Sequence, residues 1–184
     1  MDILSGPDFF LSKKLGRAIW DYGMLSEGDK IAVGVSGGKD SLALLYLLHH
    51  RRNFVPIKYE LTAIHIDSGY PRSLARPLAA YFKKLGVKYH IVKIDLRKGS
   101  KADKGINCFW CSWNRRKALF ENANRLGCKK IALGHHKDDI VETILLNLFF
   151  QGEISAMSPK QRLFNGKMTI IRPFAYAEEK EVAR

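Results

Sequence analysis

The sequence predicts an α/β fold with a mostly parallel sheet of about five strands flanked by helices. Short β-branched runs alternate along the chain with segments of helical apolar spacing, the pattern of strand-helix-strand units. The strand-like runs end in loops of small or charged residues at Ser36, Asp67 and Gly134, which puts those loops on one edge of the sheet. In such sheets ligands bind beyond the carboxyl ends of the strands, where the strand order reverses. The first of these loops, Ser36-Gly37-Gly38-Lys39-Asp40-Ser41, lies between an apolar run and a helical pattern and is built to hold phosphate.

The elements follow in order. Residues 8–25 carry apolar side chains at Phe9, Leu11, Leu15, Ala18, Ile19, Tyr22 and Leu25 with basic residues between them, an amphipathic helix within an N-terminal segment, residues 1–29. Residues 30–184 form the domain proper. Lys30 to Val35 is the first strand and Lys39 to about Arg51 the first helix of that domain. Glu60 to Ile66 is the second strand, followed by a helix expected to start near Pro71, because proline favours the first helical turn. Lys88 to Ile94, Lys130 to Leu133 and Met168 to Ile171 are the remaining strands. Cys111 to Leu126 and Asp138 to Phe149 are the intervening helices, and Glu178 to Arg184 starts another with no residue to stop it. A chain ending in mid-element is expected to be a fragment of a longer one.

Composition narrows the function. The 184 residues fit one domain, and 46% hydrophobic content is enough for a core. Lysine and arginine outnumber aspartate and glutamate by 31 to 18, a net charge of +13 that makes a polyanion the natural partner. The basic residues come in small groups, among them Lys13, Lys14 and Arg17, then Arg97, Lys98, Lys101 and Lys104, then Arg115, Arg116 and Lys117. That scatter suits a broad phosphate-backbone footprint. No apolar stretch approaches a membrane span and the start lacks the plan of a signal peptide, so a cytoplasmic protein with no membrane partner is expected. Three cysteines make no disulfide framework.

Three constellations carry chemistry. In the Ser36 loop, Gly37 and Gly38 let the backbone approach an anion, Ser36 and Ser41 add hydroxyls, and the new helix points its free N–H groups at the same spot. It is neither a Walker A loop nor a G-x-G-x-x-G. Cys108 and Cys111 form a C-x-x-C at a helix start, where thiols have lowered pKa values. Such a pair binds a metal, carries a cluster or exchanges electrons; a four-ligand zinc site lacks its second pair. The run Gly134-His135-His136-Lys137-Asp138-Asp139 ends a strand and opens a helix, so its carboxylates either cap that helix or help hold magnesium beside a polyphosphate.

The Ser36 loop resembles the S-G-G-x-D-S pyrophosphate loop of the N-type ATP pyrophosphatases. Together with A-I-H-I-D, C-F-W-C-S-W-N-R-R-K, A-L-G-H-H-K-D-D-I-V-E-T and I-I-R-P-F-A-Y, in that order from about Lys30 to Ala177, it resembles the TtcA-like tRNA 2-thiocytidine synthetases. The resemblance implies an adenine nucleotide α-hydrolase-like PP-loop fold and an ATP-dependent thiolation of a cytidine in the anticodon loop of tRNA. ATP, Mg2+ and a [4Fe-4S] cluster are the implied cofactors, and tRNA, a sulfur donor (a cysteine desulfurase or sulfide) and a second copy in a homodimer the implied partners.

Residue by residue, it implies that Ser36, Gly37, Gly38, Asp40 and Ser41 bind the β and γ phosphates with Lys39 near them, and that the backbone at His65 and Ile66 contacts adenine. Gly134 would let the nucleotide lie against the sheet edge, Arg115 and Lys117 would face ATP with Arg116 turned away, and Asp138 or Asp139 would face magnesium. Catalysis would rest on Asp40, Cys108, Cys111 and Lys117. Cys108 and Cys111 would be two of three cluster ligands; the third is due after the I-R-P-F-A-Y segment, where this chain supplies no cysteine. Cys128 reads instead as a small buried residue at a strand start. Lysidine synthetases and uridine thiolases of the TtuA type are the alternative relatives. The first has no use for a C-x-x-C, and the second is expected to carry cysteines ahead of the Ser36 loop, where none precede Cys108. A non-catalytic ATP- and RNA-binding fragment is the alternative from another class.

Overall fold

The computed structural model describes residues 6–69, 72–96 and 108–182. In chain order these form α1 (Gly6–Asp21), β1 (Asp29–Gly34), α2 (Lys39–Arg51), β2 (Tyr59–Asp67), α3 (Ala75–Leu85), β3 (Lys88–Lys93), α4 (Cys108–Arg125), β4 (Lys130–Ala132), α5 (Lys137–Gln151), β5 (Lys160–Leu163), β6 (Met168–Ile171) and α6 (Glu179–Val182). The basic loop Arg97 to Asn107 lies outside the described residues.

The strands form one sheet in the order β3-β2-β1-β4-β6-β5, parallel throughout except for β5. The chain walks outward from β1 through β2 to β3, then returns to the other side of β1 for β4. The order therefore reverses between β1 and β4, and a crevice opens above their carboxyl ends.

β1 shows why the sheet is covered twice. Ile31, Ala32 and Val33 are all fully buried, but consecutive side chains point to opposite faces. Ile31 and Val33 join Leu11, Leu15 and Ala18 of α1, Leu44 and Leu48 of α2, and Phe82 of α3. Ala32 faces the other way, into a cluster with Ile64 and Ile66 of β2, Ala118 and Ala123 of α4, Ile131 and Met168. Strands buried on both faces read as continuous apolar runs, which is how β1 appears in the sequence. Truncating Ile31 to alanine would cost about 2–5 kcal/mol.

One strand and several helix boundaries differ from expectation. The sheet has six strands, not about five, because β5 pairs with β6 as an antiparallel hairpin. Its turn places Phe164, Asn165 and Gly166 at positive φ, a conformation that asparagine and glycine tolerate. The helix expected near Pro71 begins at Ala75; Pro71 itself lies outside the described residues, while residues 72–74 are not helical. α4 starts a turn earlier than expected, at Cys108. α1 ends at Asp21, not Leu25; α6 is described over Glu179–Val182, and residues 183 and 184 of the expected helix lie outside the described residues.

Candidate active site

The Ser36 loop leaves β1 and enters α2 through a turn held by its own hydroxyls. Ser36 N–H donates to Ser41 Oγ at 3.2 Å, Ser41 Oγ donates to Gly38 O at 2.9 Å, and Gly38 N–H donates to Ser36 Oγ at 3.2 Å. Both hydroxyls expected at phosphate are thus also the fasteners of the loop, and Ser41 is buried. Gly37 sits at φ +96°, where a side chain is strained and a Cβ would stand 2.6 Å from Leu74 Cδ1. Gly38 occupies the cap position of α2 and makes no side-chain cap. The start of α2 is therefore open to an external anion.

α5 begins in the opposite manner. His136 Nδ1 accepts from Asp139 N–H at 3.4 Å, and Asp139 Oδ2 accepts from His136 N–H at 2.7 Å, a closed capping box. Asp138 Oδ2 accepts the Glu179 N–H at 2.8 Å, which holds the Asp138 carboxyl below its usual pKa and ties α6 to α5. Both acids thus spend one oxygen on structure. Magnesium takes one or two protein carboxylates and draws its remaining oxygens from phosphate and water, so the unspent oxygens fit that role. Among the described residues no group of three His, Cys, Asp or Glu side chains stands ready to hold a metal unaided.

Lys39 Nζ lies 2.9 Å from Glu179 Oε1 and 3.2 Å from Asp40 Oδ1. Those hydrogen bonds, Glu179 first, raise its pKa. Gly134 has a packing role of its own. A Cβ there would meet the backbone of Asp40 and Ser41 at 3.0 Å, so the glycine lets the exit of β4 pack against the start of α2.

A cavity of about 510 Å³ opens over the carboxyl ends of β1, β2 and β4, lined by Gly34, Ser36, Ile66, Leu133 and His135 below and by Cys108, Cys111, Arg115 and Arg116 of α4 above. A smaller one of about 340 Å³ shares Ser36, Ile66 and Arg115 with it and continues past His65, Asp67 and Arg72. Asp67 is shaped by Ser73 Oγ at 2.6 Å and the Gly69 N–H at 2.9 Å, bonds that lower its pKa, Ser73 foremost. The buried His65 ring bonds Val35 O through Nδ1 at 2.8 Å, fixing the exit of β1 against β2. His135 lines the cavity as a neutral imidazole, its pKa lowered mainly by burial and then by Arg172, and its Nδ1 is buried without a partner.

The cysteines face this space from one turn of helix. Cys108 is exposed and Cys111 half-buried, while Cys128 is buried among apolar residues that push its thiol pKa up. As a test of fit for a cluster, two thiols on one helical face of the cavity supply two of three ligands, and Cys128 is excluded as the third by its burial between the end of α4 and β4. The third ligand is not among the described residues.

Lys117 is a correction. It pairs with Glu121 at 3.9 Å and lies over the Trp113 ring at 5.4 Å, on the solvent side of α4 and away from the cavity lining. Arg116, expected to turn away, lines the cavity beside Arg115. Alternation is strand logic; because α4 is helical from Cys108, each residue turns by about 100° and positions 108, 111, 112, 115, 116 and 119 share one side. The sequence reading also left Arg172 without a role, although it is a buried cation directly after β6.

A family model described as PP-loop domain matches residues 11–184. The tRNA-cytidine(32) 2-sulfurtransferase of Geobacter sulfurreducens is 43% identical over 175 residues, which are 94% of this chain and 68% of that one. Its counterpart in Syntrophotalea carbinolica is 44% identical over 192 residues, covering all of this chain and 72% of that protein. The chain belongs to the PP-loop family, among the tRNA-cytidine 2-sulfurtransferases. In Pseudomonas putida a relative of the same name is 44% identical, with 94% of this chain and 64% of its own length aligned. The chain spans about two thirds of the length of these relatives. In fold it resembles the U34-tRNA thiolase NcsA from Methanococcus maripaludis, solved with its [4Fe-4S] cluster, at a TM-score of 0.78, 23% identity, 96% of this chain and 61% of that one. It also resembles an NH3-dependent NAD synthetase from Campylobacter jejuni, at a TM-score of 0.60, 13% identity and 97% and 71% coverage.

Proposed function

We propose that this PP-loop protein is an ATP-dependent tRNA sulfurtransferase that adenylates the C2 oxygen of a cytidine in the anticodon loop, position 32 in the names of its relatives, and replaces that oxygen with sulfur. The observation that carries the reading is that one cavity joins the two halves of the chemistry. Ser36, at the head of the loop that leads into the uncapped start of α2, lines one side with Gly34 and Val35, and Cys108 and Cys111 line the other.

ATP is read as lying with its pyrophosphate in the Ser36 loop and its adenine toward the ends of β1 and β2, near Ile66. The cytidine C2 oxygen attacks the α phosphorus, the bond to the β-phosphate oxygen breaks, and pyrophosphate leaves into the loop. Charge grows on that leaving group, and backbone N–H groups fixed in place stabilise it by up to about 3–4 kcal/mol each without reorganising. Asp40 and the unspent oxygens of Asp138 and Asp139 would hold magnesium, which would supply positive charge beside the phosphates. Sulfur held at Cys108 and Cys111 then bonds to C2, and AMP departs with the former carbonyl oxygen. A [4Fe-4S] cluster, when bound, would supply an open iron position for sulfide. Arg115, facing both cavities, would counter the phosphate charge. Phe109 and Trp113 are exposed rather than core, and would offer rings on which a splayed base stacks.

A cytoplasmic location, a cysteine desulfurase or sulfide as sulfur source and a homodimer complete the reading. Among the described residues no helix is long and apolar enough to cross a membrane. α5 exposes Leu145, Leu146, Phe149 and Phe150, surface of the kind an assembly covers. Light scattering on the purified protein tests the dimer. For the reaction, tRNA incubated with the anaerobically reconstituted protein, ATP, magnesium and sulfide is digested and its nucleosides weighed. A thiolated cytidine is expected; an unchanged nucleoside profile contradicts the proposal.

A further inference from the structure

Among the described residues, Arg172 is a buried cation without a counter-charge. It is 4% exposed, yet its guanidinium meets only neutral acceptors: Nη1 donates to Ser158 O and Nη2 to Gln161 Oε1 at 3.4 Å. Its Nε is buried with no partner, and among the described residues it forms no ion pair. Burial, with the like charge of Arg116, lowers its pKa to about 10, so it stays charged at neutral pH. Buried charges are ordinarily paired, and an unpaired one costs free energy that a bound ion of opposite sign recovers.

The sheet register tells which way this charge faces. Ala132 pairs with Ile171, and Leu133 N–H continues the ladder to Ile171 O, which places Leu133 beside Arg172. Met168 lies two pleats before Arg172 on the same face and packs in the cluster under α4, and Leu133 lines the cavity on that face. Arg172 therefore stands behind the cavity wall at its β4–β6 end. In front of it are Arg116, exposed and in no ion pair among the described residues, and His135, whose buried Nδ1 also lacks a partner. Asp139 is the carboxylate that acts on His135 among the described residues, and its Oδ2 is already engaged in the α5 cap.

We propose that this end of the cavity is a phosphodiester subsite for the RNA substrate, contacted by Arg116 and His135 and charged from behind by Arg172. The choice of RNA over nucleotide rests on the functional reading above. With the pyrophosphate of ATP at the end of β1 and its adenine toward β2, the nucleotide lies on one side of the switch point. β6 lies two strands beyond β1 on the other side, about 10 Å away at ordinary strand spacing. Arg172 acts as a positioning residue, while Arg116 touches the phosphate.

The test uses the full chain and an anticodon stem-loop RNA carrying the target cytidine, with ATP affinity measured separately in the absence of RNA. Arg172→Met keeps the side-chain bulk and removes the charge, and Arg116→Gln changes only an exposed side chain. Each is expected to weaken RNA binding about tenfold at 0.1 M salt and to make the salt dependence shallower by about one phosphate contact, leaving ATP affinity unchanged. Loss of ATP affinity with RNA binding intact would assign the phosphate to the nucleotide and overturn the proposal. Arg116→Gln that binds RNA like the wild type would overturn it as well, and this variant decides alone if Arg172→Met does not fold. Pyrophosphate release by the wild type is followed in parallel. Its absence counts against adenylation, whereas the variants' salt slopes report on the subsite.

Discussion

Gly37 and Gly134 are the residues on which the geometry of the Ser36 loop turns, each for its own steric reason. At Gly37 the backbone φ of +96° is the obstacle, since the Leu74 terminus that a Cβ would strike belongs to a flexible side chain. At Gly134 the obstacle is the backbone of Asp40 and Ser41, which has nowhere to go. Gly134→Ala is expected to destabilise the protein by about 1–3 kcal/mol and to weaken ATP binding, checked by urea unfolding and calorimetric titration. The cysteines divide just as clearly. Iodoacetamide at neutral pH is expected to alkylate Cys108 and Cys111 and to spare Cys128, whose burial keeps it a protonated, inaccessible thiol; peptide mass spectrometry reads the outcome. The Ser36 loop and the C-x-x-C were legible in the sequence because each is a short local pattern with one geometric meaning. The reason for Gly134 was not, because it depends on a contact between segments about ninety residues apart.

At the scale of elements, the two helix starts facing the sheet edge are a matched contrast. α2 begins uncapped by any side chain, and α5 begins with the reciprocal bonds of His136 and Asp139. Asp139→Ala is expected to cost about 1 kcal/mol, read in thermal or urea unfolding. The imidazoles set an acid limit. Burial lowers the pKa of His135 and His49 from their ordinary value near 6.5, so between the folded and unfolded values the unfolded chain binds more protons. Their contribution is complete above about pH 6.5 and is lost as the pH falls below it. Unfolding midpoints measured from pH 7.5 to 5 should decline through that range, and a flat profile would contradict the assigned neutral state. The parallel strands and their helices were readable because apolar period and loop composition agree. β5 was not, as Lys160–Leu163 carries little apolar signal, although Asn165-Gly166 between two strand-like segments marks a hairpin turn. The side chains of α4 differ from expectation for one reason: alternate-residue spacing belongs to strands, whereas a helix turns by about 100° per residue and brings Arg115 and Arg116 to the cavity together.

For the whole molecule, the reversal of strand order between β1 and β4 places the phosphate loop, the thiols and the basic residues of α4 around one opening. The net charge of +13 adds a field that draws a polyanion to that opening. Binding of tRNA is therefore expected to weaken steeply with salt, by several powers of ten between about 50 and 200 mM if six or more phosphates are contacted. The overall class and the likeness to a tRNA thiolase were legible beforehand, since they follow from motif order and alternation. The unpaired charge of Arg172 was not, because only the folded register shows that, among the described residues, no carboxylate reaches it. The claim that matters most is that the Ser36 loop activates a cytidine with ATP, and pyrophosphate release measures it directly. Release should rise when tRNA bearing the target cytidine is added and fall when Asp40→Asn replaces the wild type. A protein that binds both ATP and that tRNA yet releases no pyrophosphate would contradict the account.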